Sequence, residues 1–418
     1  LNAIKPPRQG LGIGVTTTYL LERWITPFAL FVGAESMLNY GVLAGFLFAL
    51  TGFLVFLCFS FFILRVKKQS PNLKSMSEWL SFKMDDLESE YFQRILRGLY
   101  SLDIFILGVG GGALWYAAVR LPMVVGTGIS LVILGLISWI FDKTEWGRNY
   151  RIYILGIFFA LLVFFIVYPF LVNPIQAIYD GIRLYHPYLL VIQEKELALY
   201  IMAVFSIFMG RILISPSAWK LVEYKSKMKI RSSLLLAGAI WATLPIAFSA
   251  LLYPVISQGT IGPIEEVFYF VSRSTPSPII KFVFLFMIGL IFLRAGRHIV
   301  RSIRSNETDI KFKNHIIYLY IVPIAYVLYS IFQPTLLDLF FMIGILYASI
   351  LIPMVFMVIF EKHGGWVIPF TFLISILFGG ATYVIEGRFM AILGAVSISL
   401  FIMLLYKASM FFINQIKL

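Results

Sequence analysis

About twelve apolar stretches, each near the twenty residues that a membrane-crossing helix needs, follow one another along the chain. They lie at about 10–33, 42–64, 95–118, 123–140, 152–171, 197–214, 233–256, 279–296, 315–332, 335–360, 366–384 and 389–413. The first run differs from the rest. It carries Glu22-Arg23 near its middle, followed by Thr26-Pro27. A charge near the bilayer centre costs about 2.5–3.5 kcal/mol on insertion scales, so such residues face a protein interior or a water-filled cavity. Proline lacks the amide donor and clashes with the preceding turn, so the helix is expected to break there. A broken helix with ionisable groups at mid-membrane depth is how many transporters build a binding site.

Composition supports a polytopic membrane protein over a large soluble core. The chain is 60% hydrophobic and 13% charged, with mean hydropathy +0.90, whereas soluble chains are about 45–50% apolar and about 25% charged. Aromatics at 17% suit interfacial belts. The single cysteine, Cys58, allows no intramolecular disulfide. A net charge of +13 raises nucleic acid as a partner. However, the cations collect in alternate loops, and no basic domain with aromatic platforms is present, so nucleic acid is excluded.

Those loops set the topology. One set holds Arg65, Lys67, Lys68, Lys74, Lys83, Arg94 and Arg97, then Lys143, Arg148 and Arg151, then Lys220 to Arg231, then Arg297 to Lys313. The intervening loops carry only scattered cations. The positive-inside rule places the first set, and both termini, in the cytoplasm. The expected setting is the plasma (inner) membrane of a prokaryote. Two outer loops are long, 172–196 and 257–278. The second reads as a short amphipathic lid helix, Ile264–Ser272, or as a plain surface loop. The stretch Ser75–Glu90 reads as an interfacial helix.

Several segments resemble the sodium/solute symporter family, in order and over about Gly14 to Val384. "VGAESMLNYG" (Val32–Gly41) resembles its first-to-second helix turn, and "SMSEWLSFKMDDLESEYFQRIL" its cytoplasmic segment before the third helix. "FMGRILISPSAWKLVEYKSKMKIRSSL" is similar to the pattern after its sixth helix. "SPIIKFVFLFMIGLIFLRAGRHIVRSI" sits where the eighth should be, and "ILIPMVFMVIFEKHGGW" resembles the tenth and its ending. The resemblance implies an all-α integral membrane protein of the LeuT-type fold. Two five-helix repeats of opposite orientation would occupy 10–171 and 197–360, separated by the extracytoplasmic loop 172–196. Two accessory helices would fill 361–418. Residues 1–9 would form a cytoplasmic stub where many family members carry a further helix.

The resemblance also marks a departure. The family holds sodium between the unwound first helix and a Ser-Thr step on the eighth. Counted without gaps from Pro278, that step falls on Arg294-Ala295, and the matching first-helix stretch is Glu22-Arg23-Trp24-Ile25-Thr26. A fixed cation repels sodium, which wants hard oxygen ligands. In one reading Arg294 occupies the ion position and pairs with Glu22, bracing two helices without an ion. In the other, Arg294 snorkels to the cytoplasmic headgroups with Arg297 and Arg301.

Other positions carry paired readings too. Arg211, after Gly210, either binds a substrate carboxylate or marks the cytoplasmic end of its helix. Asp103 is a proton acceptor, a partner for Arg23, or part of a purely structural pair. Gly108, Gly110, Gly111 and Gly112 read as helix-packing contacts, with no phosphate-loop pattern around them. Thr16, Thr17 and Thr18 either offer hydroxyls to a solute or back-bond to the preceding turn. Trp24 and Trp115 either stack on a substrate or act as packing or interfacial anchors. His186, His298, His315 and His363 show no ligand spacing, so no metal or other cofactor is expected.

The reading that results is a transporter of a small polar or anionic solute, working by alternating access. Sodium coupling is doubtful, and proton coupling through Glu22 or Asp103 or simple exchange replaces it. The implied partners are the lipid bilayer and the solute. The alternative is a non-transporting, transporter-like subunit that senses a ligand or scaffolds a partner protein subunit. A membrane enzyme acting on lipid-linked substrates ranks last, since only Glu265-Glu266 hints at it and no catalytic constellation is present.

Overall fold

A computed structural model describes residues 12–73, 75–141, 151–192, 194–224, 226–260, 262–274, 282–283, 285–286, 288–296, 315–360 and 365–416. These residues are helical, with no strand among them. Helix α1 is Ile13–Trp24, α2 Pro27–Tyr40, α3 Val42–Gln69, α4 Met76–Lys83, α5 Asp86–Val119, α6 Met123–Phe141 and α7 Arg151–Val172. Then come α8 Ile175–Tyr185, a 3-10 turn at Pro187–Leu190, α9 Glu194–Leu213, α10 Pro216–Trp219, a second 3-10 turn at Lys220–Glu223, α11 Lys227–Ala250, α12 Tyr253–Ile256 and α13 Ile264–Ser274. Last are α14, within 288–296, α15 His315–Phe332, α16 Leu336–Ile359, α17 Val367–Glu386 and α18 Arg388–Ile416. Among the described residues, seven helical stretches are long and apolar enough to cross a membrane: 42–69, 86–119, 194–213, 227–256, 336–359, 367–386 and 388–412. The shorter helices Met123–Leu136 and Tyr320–Phe332 are apolar as well.

The expected stub 1–9 lies outside the described residues, as do Pro278, Arg297, Arg301, His298 and His363. The first expected span, 10–33, is two helices of 12 and 14 residues. Helix α2 runs on through Glu35 to Tyr40, so the resembled turn at Val32–Gly41 shrinks to Gly41. Glu35 is buried and accepts a hydrogen bond from the Leu337 amide. Met84 and Asp85 break the expected interfacial helix, leaving α4 and an α5 that starts at Asp86. The helix expected at Ile264–Ser272 forms as α13, two residues longer than expected.

The described chain divides into two compact units, one made of the residues up to Phe53, Tyr100–Leu197 and Leu236–Leu337. Its core includes Tyr100, Leu107, Leu134, Phe292 and Ala295. The glycine run of α5 lets neighbours approach closely. A Cβ at Gly108 would meet Leu131, at Gly110 the Phe28 amide, at Gly111 Ser130, and at Gly112 Thr127. The run therefore seats α5 against α6 and against the first turn of α2, as small residues do between membrane helices.

The other unit comprises Leu54–Leu99, Ala198–Leu235 and the chain from Asp338. Ser75 caps α4 by accepting from the Glu78 amide at 3.2 Å. That helix buries Trp79 against Trp219, with ring centroids 5.1 Å apart, and Phe62 completes the cluster. Tyr200, Phe341 and Phe389 form a second aromatic group. Helices α17 and α18 pair around Gly387, whose φ of +91° is readily adopted only without a Cβ.

Candidate functional site

The broken end of α1 is tied to three other helices by adjacent residues. Helix α1 stops at Trp24, and Ile25 and Thr26 are extended. Helix α2 then starts with Pro27 at its first position, where a missing amide costs nothing. The Thr26 hydroxyl caps it by accepting from the Ala29 amide at 3.3 Å. Consecutive helical residues point about 100° apart. Glu22, Arg23 and Trp24 therefore reach three different helices.

Glu22 faces α14. Its Oε1 lies 3.5 Å from Nη2 of Arg294, whose side chain is 13% exposed. Leu21, Ile25, Phe158, Leu290 and Ile291 close around this pair and leave a cavity of about 10 Å³. That is space for roughly one water and for no solute. Ala295, the next residue, is fully buried in the apolar core beside Phe292 rather than at this cavity.

Arg23 faces α5. Its Nε donates to Oδ2 of Asp103 at 2.7 Å, and Nη2 donates to the same oxygen. Both side chains are all but inaccessible. The guanidinium also lies over the Tyr100 ring, 4.1 Å from its centroid, one helical turn from Asp103. Desolvating two charges is expensive, so the pair is held by its geometry and by the ring beneath it.

Trp24 turns to α11. Its carbonyl, released by the break, accepts from Nε1 of Trp241 at 3.2 Å, and the two indoles meet edge to face at 6.0 Å. Gly52 on α3 makes the space for Trp241, since a Cβ there would overlap the ring. Sequence reading missed both Trp241 and Gly52, because nothing local links them to the break. Glu35 was also passed over, although the rule that picked out Asp103 applies to it equally.

The remaining candidates are placed as follows. Gly210 and Arg211 belong to the second unit. Gly210 packs against the Tyr347 carbonyl with no room for a side chain. Arg211 lies in the last turn of α9, where the helix-end reading put it, but its side chain is buried rather than snorkelling. Thr16, Thr17 and Thr18 are buried, and Thr16 donates back to the Gly12 carbonyl at 3.3 Å. Trp24 packs against Trp241, and Trp115 lies beside Gly126. His186 is buried between Tyr185 and Tyr188. Among the described residues no three metal-ligating side chains cluster.

At one end of the first unit, α13 is held by Arg120. This residue closes α5 in a left-handed conformation, φ +58°. Its Nη2 lies 3.3 Å from Oε1 of Glu266, and its guanidinium covers the Tyr269 ring at 4.3 Å. The neighbouring Glu265 is half-buried. Burial pushes its carboxyl above the usual range, the Glu266 charge adds to this, and a backbone hydrogen bond partly offsets it.

No family model and no curated protein matches the chain. Solved structures do. A sodium-coupled sialic acid symporter in a substrate-bound, outward-open state aligns with TM-score 0.61 at 14% identity, covering 95% of this chain and 89% of that one. Two variants of the manganese transporter of Eremococcus coleocola align with TM-score 0.54 at 11% identity, covering 94% of each chain. The chain is an all-helical integral membrane protein with the fold of these transporters.

Proposed function

We propose that the protein is a secondary transporter-like membrane protein moving a small polar or anionic solute, without the sodium coupling of the sodium/solute symporters it resembles. The observation that carries this reading is the Arg294 guanidinium 3.5 Å from Glu22 beside the broken helix. A tethered cation there repels a free one and supplies the bracing charge itself. Alternating access would work between the repeats 10–171 and 197–360, with both termini in the cytoplasm. The break Glu22–Pro27 is assigned to the solute path, and Gly210 and Arg211 carry the same assignment within the second unit. Proton coupling through Glu22 or Asp103, or simple exchange, takes the place of sodium coupling. Sialic acid, named for the first structural neighbour, is the first anionic probe. Uptake into proteoliposomes is expected to be the same in sodium and in choline. Glu22→Arg and Arg294→Glu are each expected to abolish it, and the double variant to restore it. Strict sodium dependence, or no rescue, overturns the reading.

The tight closure around the pair, about 10 Å³, favours a second reading: a non-transporting subunit that senses a ligand or scaffolds a partner protein. A stoichiometric co-purifying protein, with no solute flux, selects it.

A further inference from the structure

A basic face lies at one end of the second unit, where α3 ends and α11 begins. Both helices belong to stretches long and apolar enough to cross a membrane, 42–69 and 227–256. The face therefore sits where two spans reach the headgroups. Residues 54–73 and 220–235, all of the second unit, hold eight lysines and arginines and one acid, Glu223. Three interactions set the two helices side by side. Lys67 Nζ donates to the Val222 carbonyl at 3.1 Å. Lys227 stands near enough to Lys67 for their charges to repel. The Arg231 guanidinium covers the Phe61 ring, 5.6 Å from its centroid. Spacing then sorts the side chains. On α3, Phe61, Arg65 and Lys68 recur at i, i+4 and i+7, and on α11 Lys227 and Arg231 are four apart, so each set forms one stripe. All five residues are exposed.

Two features of this face point to its occupant. First, its cations crowd together without an internal counter-charge. Among the described residues no carboxylate forms an ion pair with Arg65, Lys68, Lys227 or Arg231. Like charges gathered on adjacent helices repel, and an anion between them turns that repulsion into attraction. Arg231, seated over Phe61, still presents a planar fork of donors that matches a phosphate. Second, the charges give way to apolar groups toward the membrane. Phe61 is 56% exposed, and Leu54, two turns deeper in the span, is exposed as well. A soluble anion has no use for that surface, whereas an acyl chain does. Clusters of basic residues at the end of a membrane helix attract anionic headgroups in this way.

The geometry points to a binding site for an anionic phospholipid, its phosphate held by Arg65, Lys68, Lys227 and Arg231 and an acyl chain lying over Phe61 and Leu54. The site belongs to the second unit alone and would hold its lipid whether or not the protein moves a solute.

The test is native mass spectrometry of the full chain in detergent, titrated with phosphatidylglycerol or with phosphatidylcholine. Phosphatidylglycerol is expected to bind the more tightly, and added salt to weaken it. The pair Arg65→Gln with Arg231→Gln should weaken phosphatidylglycerol about fivefold for each cation removed and leave phosphatidylcholine unchanged. The pair Lys68→Gln with Lys227→Gln is read in parallel in case the first does not fold. Arg183→Gln, which removes an exposed arginine of α8 in the first unit, should change neither lipid. Equal binding of the two lipids to the wild type overturns the site. Unchanged phosphatidylglycerol binding in a folded pair variant does the same. A loss in Arg183→Gln as large per cation as in the pairs also overturns it, since net charge alone would then be at work. Displacement of phosphatidylglycerol by millimolar inorganic phosphate replaces the lipid with a soluble anion and overturns the assignment.

Discussion

Three adjacent residues at the end of α1 engage three partners, and each contact has a measurable cost of removal. Asp103→Asn would leave the Arg23 charge buried without its counter-ion. Breaking a buried pair in this way typically costs about 3–5 kcal/mol. A marked fall in the melting temperature of detergent-solubilised protein is therefore expected. Replacing both residues, Arg23→Met with Asp103→Leu, should recover most of the loss, because apolar packing of similar volume needs no desolvation. A double variant as unstable as the single one would contradict this. Gly52→Ala is the second case. The added methyl overlaps the Trp241 ring and drives the indole from the Trp24 carbonyl. Overpacking of this kind costs about 1–3 kcal/mol, and the lost hydrogen bond adds about 1 kcal/mol. Melting curves of Gly52→Ala beside Trp241→Phe would separate the two terms.

Among the elements, α13 carries a carboxyl whose burial ties its stability to pH. The Glu265 carboxyl is pushed up by burial, so folding favours its protonated form. Its contribution is present at low pH and is lost as pH rises through the raised value. Wild-type melting temperature is thus expected to decline above the ordinary glutamate range. In Glu265→Gln that decline should be reduced, and a matching decline in the variant would exclude Glu265 as the cause. The outward tie is weaker. The Arg120–Glu266 pair is exposed at Arg120 and half-buried at Glu266, and such surface pairs contribute about 0–1 kcal/mol. Arg120→Gly gives up that pair and its ring contact but relieves a left-handed backbone, a gain of similar size. The melting temperature of Arg120→Gly should therefore stay close to wild type, whereas Arg120→Ala should fall below it.

For the whole molecule, the proposed bracing of the helix pair by Arg294 predicts indifference to sodium. A ligand that binds only the folded state raises stability with its concentration. No rise in melting temperature is expected when sodium replaces choline at constant ionic strength, and a clear rise would argue for an ion site. Much of this molecule was readable beforehand. Run length and hydropathy settled the all-helical membrane class, since a bilayer leaves few other options for the backbone. Thr26-Pro27 marked the break, because proline acts locally. Glu22, Arg23 and Asp103 stood out because charges are costly in hydrocarbon, and Arg294 through the family resemblance. Their partners were less legible. The match of Glu22 to Arg294 was reached through a family likeness, and that of Arg23 to Asp103 was one option among three. Tertiary structure alone decided that Arg211 is buried, that Ala295 joins an apolar core, that Glu35 reaches the Leu337 amide, and that Gly52 and Trp241 hold the Trp24 carbonyl. The physical reason is range. Hydrophobicity and backbone chemistry act within a helical turn or across one span, whereas a partner is chosen by packing between segments far apart in the chain.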